Sequence, residues 1–273
     1  MKQQGWSLNQ RDPQFIKSKI MPFLEWFYRY YFRVKTDGWH HIPKNEQVLI
    51  VGSHNGGLAA PDMMMMIYDW YRRFGTQRLI YGLMHSYVWK VYPFLADPAV
   101  KTGAILAHPK VAMNALEKGA SVLVYPGGGQ DVFRPHSQRN KIHFAGRKGF
   151  IKLALKAHVP IIPAISYGAH DTLFVLADIY EQVKQLHEWG MPWLFNTDPL
   201  VFPIYFGLPW GLGIGPLFNF PLPVQIHTRM CKPIIFDRYG DKASRDRVYV
   251  DQCYQLVLNT MQKELDNLFK DYE

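Results

Sequence analysis

Short apolar runs alternate with amphipathic stretches through the middle of the chain, and that alternation restricts the fold more than any other feature. Gln47 to Ser53 (QVLIVGS) has the composition of a buried strand, and Pro61 to Phe74 follows with helical spacing. Arg78 to Met84 reads as a strand, Lys110 to Lys118 as a helix, Ser121 to Tyr125 (SVLVY) as a strand, Arg147 to Ala157 as a helix and Val159 to Tyr167 as a strand. Leu176 to Glu188 is predicted helical, as is Arg247 to Phe269, where Val250, Tyr254, Val257, Leu258, Met261, Leu265 and Leu268 share one side. Strands taking turns with helices predict an α/β fold, a mostly parallel central sheet flanked by helices on both faces. Ligands of such sheets bind beyond the carboxyl ends of the strands, so the chemistry is expected directly after them. Pro160 and Pro163 suit the start of a strand or a sheet edge.

Two flanking segments have a different character. Ile16, Ile20, Leu24, Phe27 and Tyr31 recur at steps of three and four, which predicts an N-terminal amphipathic helix, either packed on the core or lying at an interface. Pro199 to Ile226 is an uncharged stretch of 28 residues. Its prolines and glycines, among them Pro203, Pro209, Pro216, Gly207, Gly211 and Gly213, exclude a transmembrane helix. It is expected to form an apolar Pro/Gly-rich lobe, a loop or helical hairpin that shows Phe202, Tyr205, Phe206, Trp210, Leu217 and Phe218 to the core or, the favoured reading, to lipid headgroups. The whole reads as one domain over 1–273: an N-terminal helical segment over 1–40, an α/β core over 47–188, the lobe over 190–230, and a closing strand and helix over 231–273.

Composition points the same way. Lys and Arg number 31 against 22 Asp and Glu, a net charge of +9, yet charged residues are only 19% while aromatics reach 15%. A basic chain poor in charge and rich in aromatics suits a membrane surface, although +9 also serves plain solubility. Cys231 and Cys253 are too few for a disulfide framework and lack zinc-site spacing, so a reducing compartment is the default and no metal is expected. The N-terminus shows no apolar run ending in a cleavage site, and no nucleic-acid module is visible. The expected location is a membrane, on its cytoplasmic face.

Two segments after strands carry chemistry. SHNGGLAAPD places His54 at a strand end, Asn55, Gly56 and Gly57 in a turn, and Asp62 in the first turn of a helix opened by Pro61. A neutral imidazole oriented by a carboxylate is the pair that acyl transfer to a hydroxyl needs, and the glycines are expected to let a ligand approach the backbone. Both residues also have a structural reading, His54 as a satisfied core residue and Asp62 as an ordinary helix-start acid. Ser53 adjoins His54 in extended backbone, so their side chains diverge, and no G-x-S-x-G elbow exists; both disfavour a serine hydrolase. The second segment is PGGGQDVFRP. Gly127, Gly128, Gly129 and Gln130 suit a phosphate or an oxyanion, and Arg134, Arg139, Lys141, Arg147 and Lys148 follow as candidates for the phosphates of coenzyme A or for headgroups. The Lys and Ser/Thr of a P-loop are absent. His170 and Asp171, after the next strand, are expected to line or support the site.

The order of SHNGGLAAPD, KTGAILAHPK, YPGGGQDVFRP and RKGFIKLALKAHVPIIPAISYG resembles that of the glycerolipid acyltransferase superfamily, and most closely its monoacylglycerol and type-two diacylglycerol acyltransferase branch. The resemblance implies a membrane-associated O-acyltransferase that moves an acyl group from acyl-CoA, as co-substrate, to a lipid hydroxyl. His54 is the implied base and Asp62 its partner, with substrate-binding roles for Asn55, Gly56, Gly57, Gly127, Gly128, Gly129, Gln130, Arg134, Arg147 and Lys148. Two departures stand out. Seven residues, not four, separate His54 from Asp62, and where phosphate-acceptor enzymes show P-E-G-T-R in the third block and an arginine in the second, this chain has Pro126-Gly127-Gly128-Gly129-Gln130 and GAILAHPK. Missing that acid and arginine favours a neutral acceptor such as mono- or diacylglycerol; a lysophospholipid held by Lys110, Arg134 or Arg147 is the alternative. A non-catalytic lipid-binding protein or a lipid hydrolase would use the same surface.

Overall fold

The computed structural model describes residues 4–193 and 196–272. Its main sheet has seven strands: β1 (Lys35–Asp37), β2 (Leu49–Gly52), β3 (Ile80–Met84), β4 (Ala104–Leu106), β5 (Ser121–Val124), β6 (Ile161–Tyr167) and β10 (His227–Met230), in the order β1-β10-β6-β2-β5-β3-β4. All neighbours are parallel except β10 and β6. Strands β2, β5 and β6 are mostly apolar because both their faces are covered. Leu49, Val51, Val122, Ile161 and Ile165 pack beneath the helices Pro109–Glu117, Gly149–Ala157 and Arg247–Lys270. Ile50, Leu123, Ile162 and Ala164 lie on the opposite face, beneath Pro61–Phe74 and the start of the N-terminal helix. The α/β architecture with helices on both faces is the one the alternation predicts.

Four expectations are corrected. Leu176 to Asp178 is extended, not helical: β7 (Phe174–Asp178) precedes a shorter helix, Tyr180–Glu188. Strand alternation is hidden there because Val175 points inward while Phe174 and Leu176, equally apolar, point outward. The lobe is neither loop nor helical hairpin, since β8 (Pro203–Gly207) and β9 (Gly211–Ile214) join β7 in an antiparallel sheet. The closing strand is β10, inside 190–230, and beyond it only an isolated bridge joins Ile234 to Ile161. Pro163 lies within β6, between two neighbours, rather than at an edge. It is tolerated because Ala164 faces Met230 while Ile161 faces Ile234, so the partner strand carries an extra residue where Pro163 offers no N–H.

The N-terminal helix runs over 13–31, capped by Asp12, whose carboxylate accepts from Gln14 N and Phe15 N. Wide π-type turns at Ile16–Ile20 and Phe27–Tyr31 move its inner stripe, so Ile16, Leu24, Tyr28 and Phe32 are buried and Phe27 and Tyr31 only partly so. Tyr28 donates to the buried Asp69, which also pairs with Arg72 and Arg73 and ties this helix to Pro61–Phe74. No helix among the described residues is long and apolar enough to cross a membrane.

Candidate active site

Three adjacent parallel strands, β6, β2 and β5, deliver their following segments to one edge of the sheet. His54 comes from the first residues beyond β2, 126–134 from beyond β5, and 168–172 from beyond β6. Between His54 and Asp62 the chain makes a tight turn, Gly57–Ala59, with Gly56, Gly57 and Ala60 all at positive φ. That turn absorbs the longer spacing: Asp62 emerges in the first turn of its helix with Oδ1 3.4 Å from His54 Nδ1. The Asp62 side chain is 1% exposed and that of His54 17%. Nδ1 has no other partner, and no described residue hydrogen-bonds Nε2, the nitrogen left for a substrate. Asp62 is fixed in turn by Met63 N on Oδ1 at 2.7 Å and by Asn55 Nδ2 on Oδ2 at 3.2 Å.

Beneath His54 lies a buried ion pair that the sequence reading did not single out. Arg134 Nη1 is 3.0 Å from Asp131 Oδ1, and both side chains are closed off from solvent. Asp131 accepts from His54 N, and Arg134 Nη1 donates to His54 O at 2.8 Å, so one pair grips both sides of the His54 backbone. Burial pushes the Asp131 carboxyl up to about 6, against the pull of Arg134 and of the His54 N–H. Arg134 is not a free phosphate ligand: its three nitrogens also serve Gln138 O, Asp131 O, Arg139 O and Asn55 Oδ1. Asn55, with Nδ2 shared between Ser53 O and Asp62, is likewise spent inside the protein. Asp131 and Arg134, three residues apart, thus brace the loop that carries His54.

Three of the glycines are also required by packing. A Cβ on Gly56 would lie 2.5 Å from Thr172 Oγ1, one on Gly57 2.4 Å from Asn219 Oδ1, and one on Gly127 2.0 Å from His143 O. Gly128, at φ +53, and Gly129 meet only Arg147 Nη1 and Val201 at 3.3 Å or more. Arg147 donates to Pro126 O and Gly127 O and reaches Gln130 Oε1 at 3.2 Å, which fixes the turn while its side chain stays exposed. Lys148 turns away to Asp251 at 2.7 Å on the last helix. Lys110 follows β4, the edge strand three places from β2. His170 supports rather than lines the site: its Nε2 lies 2.9 Å from Arg134 O, and burial, with Arg134 nearby, lowers its pKa to about 3. Asp171 holds His136 at 2.7 Å.

Two further residues complete the site. Asn219, fully buried, donates to Gly56 O at 3.0 Å and accepts from Ala59 N at 3.3 Å, stapling the lobe to the His54 turn. Its signal was an amide within an apolar stretch, where burial demands partners. Tyr125 stacks on the His54 ring, centroids 4.5 Å apart and planes 29° from parallel. Its position at a strand's carboxyl end was the available signal.

A histidine and a buried carboxylate thus meet at the carboxyl edge of a mostly parallel α/β sheet. The structure is similar to the 1-acyl-sn-glycerophosphate acyltransferase PlsC from Thermotoga maritima, with a TM-score of 0.55 and 14% identity over 94% of this chain and 80% of that one. The chain belongs to the diacylglycerol acyltransferase family, whose model matches residues 13–273. It is 27% identical to an uncharacterized protein of Mycobacterium tuberculosis over 94% of this chain and 67% of that protein. It is 34% identical to diacylglycerol O-acyltransferase 2 of Dictyostelium discoideum over 33% of this chain and 26% of that one. A 1-acyl-sn-glycerol-3-phosphate acyltransferase alpha of Mus musculus matches 53% of this chain and 48% of its own length at 26% identity. Family and fold are those of glycerolipid acyltransferases.

Proposed function

We propose that the chain transfers an acyl group from an acyl thioester, acyl-CoA, to the hydroxyl of a neutral glycerolipid, with His54 as general base, at a membrane surface. The observation that carries this reading is the His54–Asp62 pair, with Nδ1 facing a buried carboxylate at 3.4 Å and Nε2 unengaged. Nε2 takes the acceptor's proton while its oxygen bonds to the thioester carbonyl carbon. Collapse breaks the C–S bond, and the proton leaves with the thiolate as free thiol. Asp62 stabilises the imidazolium formed between those events, and the separation contracts as charge develops. A neutral acceptor is favoured because Arg134 is spent internally and Lys148 is paired with Asp251. Arg147 remains exposed for the donor's phosphates.

The membrane reading rests on where the apolar surface lies. Phe206, Leu208, Trp210, Leu212 and Ile214 of the lobe are 47 to 54% exposed, and Phe23, Trp26 and Tyr30 of the N-terminal helix 52 to 69%. Phe220, whose ring is 5.8 Å from that of Tyr31, joins the two patches. The test is product identification by mass spectrometry after purified protein meets acyl-CoA and diacylglycerol, monoacylglycerol or lysophosphatidic acid. His54→Ala is expected to lower turnover by about 10²- to 10⁴-fold. Undiminished turnover in that variant would overturn the assignment of the base, and a preference for lysophosphatidic acid that of the acceptor.

A further inference from the structure

The His54 imidazole has an aromatic partner on its face as well as a carboxylate at its edge. Tyr125 stands immediately after β5 and stacks on His54 at 4.5 Å. Room for it exists because position 52 in the neighbouring strand is glycine: a Cβ there would fall 2.2 Å from Tyr125 Cε1 and 2.7 Å from Cζ. A glycine within a strand commonly marks such a close approach, and here the approaching group is the ring that lies on the base. Three other interior tyrosines use their hydroxyls as ties, Tyr28 to Asp69, Tyr71 to Thr102 O and Tyr81 to Leu8 O. No described residue hydrogen-bonds the Tyr125 hydroxyl, so its face, not its oxygen, makes the contact of note.

We propose that Tyr125 is a positioning residue for the general base, its ring holding the His54 imidazole edge-on to Asp62 and stabilising the imidazolium through its π face, with Gly52 as the clearance that seats it. The inference rests on the reading of His54 as the base. An aromatic face attracts a cation above it, so the ring favours the protonated imidazole, the form that follows proton abstraction. The charged groups facing His54 are Asp62 from the helix that follows and Asp131 and Arg134 from the turn beyond β5. Burial, with Asp62 and Asp131 nearby, keeps the Tyr125 hydroxyl protonated, so the ring remains neutral.

The test compares Tyr125→Phe, Tyr125→Leu and Gly52→Ala in the full chain, each checked for native circular dichroism, by two readouts. In an NMR titration of labelled histidine, Tyr125→Leu is expected to lower the His54 pKa while Tyr125→Phe leaves it in place. In turnover, Tyr125→Leu is expected to lose about tenfold in kcat, with KM for acyl-CoA changed by less than about threefold and the acid limb of the profile moved to lower pH. Gly52→Ala keeps the tyrosine but displaces its ring, so it is expected to reproduce the titration shift and to add nothing to Tyr125→Leu in the double variant. An unmoved His54 titration in Tyr125→Leu would overturn the inference, as would Tyr125→Phe losing as much as Tyr125→Leu. A moved titration with unchanged turnover would instead overturn His54 as the base.

Discussion

His170 is buried beside the candidate site, with its Nε2 2.9 Å from Arg134 O. Its pKa falls to about 3 in the folded chain from an ordinary 6.5 because the ring is buried next to Arg134. A base whose folded pKa is depressed contributes stability that is complete above 6.5 and is lost as the pH falls toward 3. This group alone is therefore expected to remove about 1.4 kcal/mol per pH unit on acidification through that range. Urea midpoints on either side of pH 6.5 check it, and His170→Gln is expected to flatten the dependence. If the variant keeps the slope of the parent, another group is responsible. Asp131 works in the opposite sense, since a carboxyl raised to about 6 contributes stability below its unfolded value that is lost as the pH rises through 6. At this scale the sequence made His54 legible, because a histidine before two glycines at a strand end has few ordinary uses. It did not reveal Asp131, whose partners His54 and Ser53 are remote in the chain.

The elements that matter most are the turn after β2 and the lobe sheet that leans on it. Three left-handed positions fall within five residues, and the one at Ala60, unlike those at Gly56 and Gly57, is costly and persists only where surrounding contacts hold it. Asn219 supplies two of those contacts from a strand-flanking segment that the sequence presents as uniformly apolar. Asn219→Ala is expected to cost about 1 to 3 kcal/mol, since it strips the buried Gly56 O and the half-buried Ala59 N of their partner. Faster amide exchange at Ala59, with core strands β2 and β5 unaffected, is the measurement; uniform acceleration everywhere would mean that the asparagine supports the fold rather than the turn. The lobe's sequence suggests a loop or helical hairpin because a sheet with both faces apolar shows no polar alternation, and its prolines and glycines look alike in turns and in strands.

Across the whole molecule, the lobe and the N-terminal helix present exposed aromatics and aliphatics on joined surfaces, while Lys17, Lys19, Arg29 and Arg33 stand exposed along the helix and just beyond it. Such a border of bases suits anionic headgroups, and the apolar centre suits the acyl boundary. Replacing Trp210, Leu212 and Ile214, each 54% exposed, by serine is expected to lower partitioning onto anionic liposomes by at least about tenfold without changing the fold. Flotation with an unaltered bound fraction would reject this surface as the point of contact. The sequence by itself determined the α/β class, the places where loops meet the carboxyl edge, and the motif order that marks the family, because strand and helix periodicity and turn chemistry are local. Only the tertiary structure decided that Asp62 reaches His54 across a longer turn, that Arg134 braces the loop, and that Tyr125 lies on the His54 ring. Those depend on β6, β2 and β5 standing side by side, and adjacency between segments far apart in the chain is set by packing rather than by any local pattern.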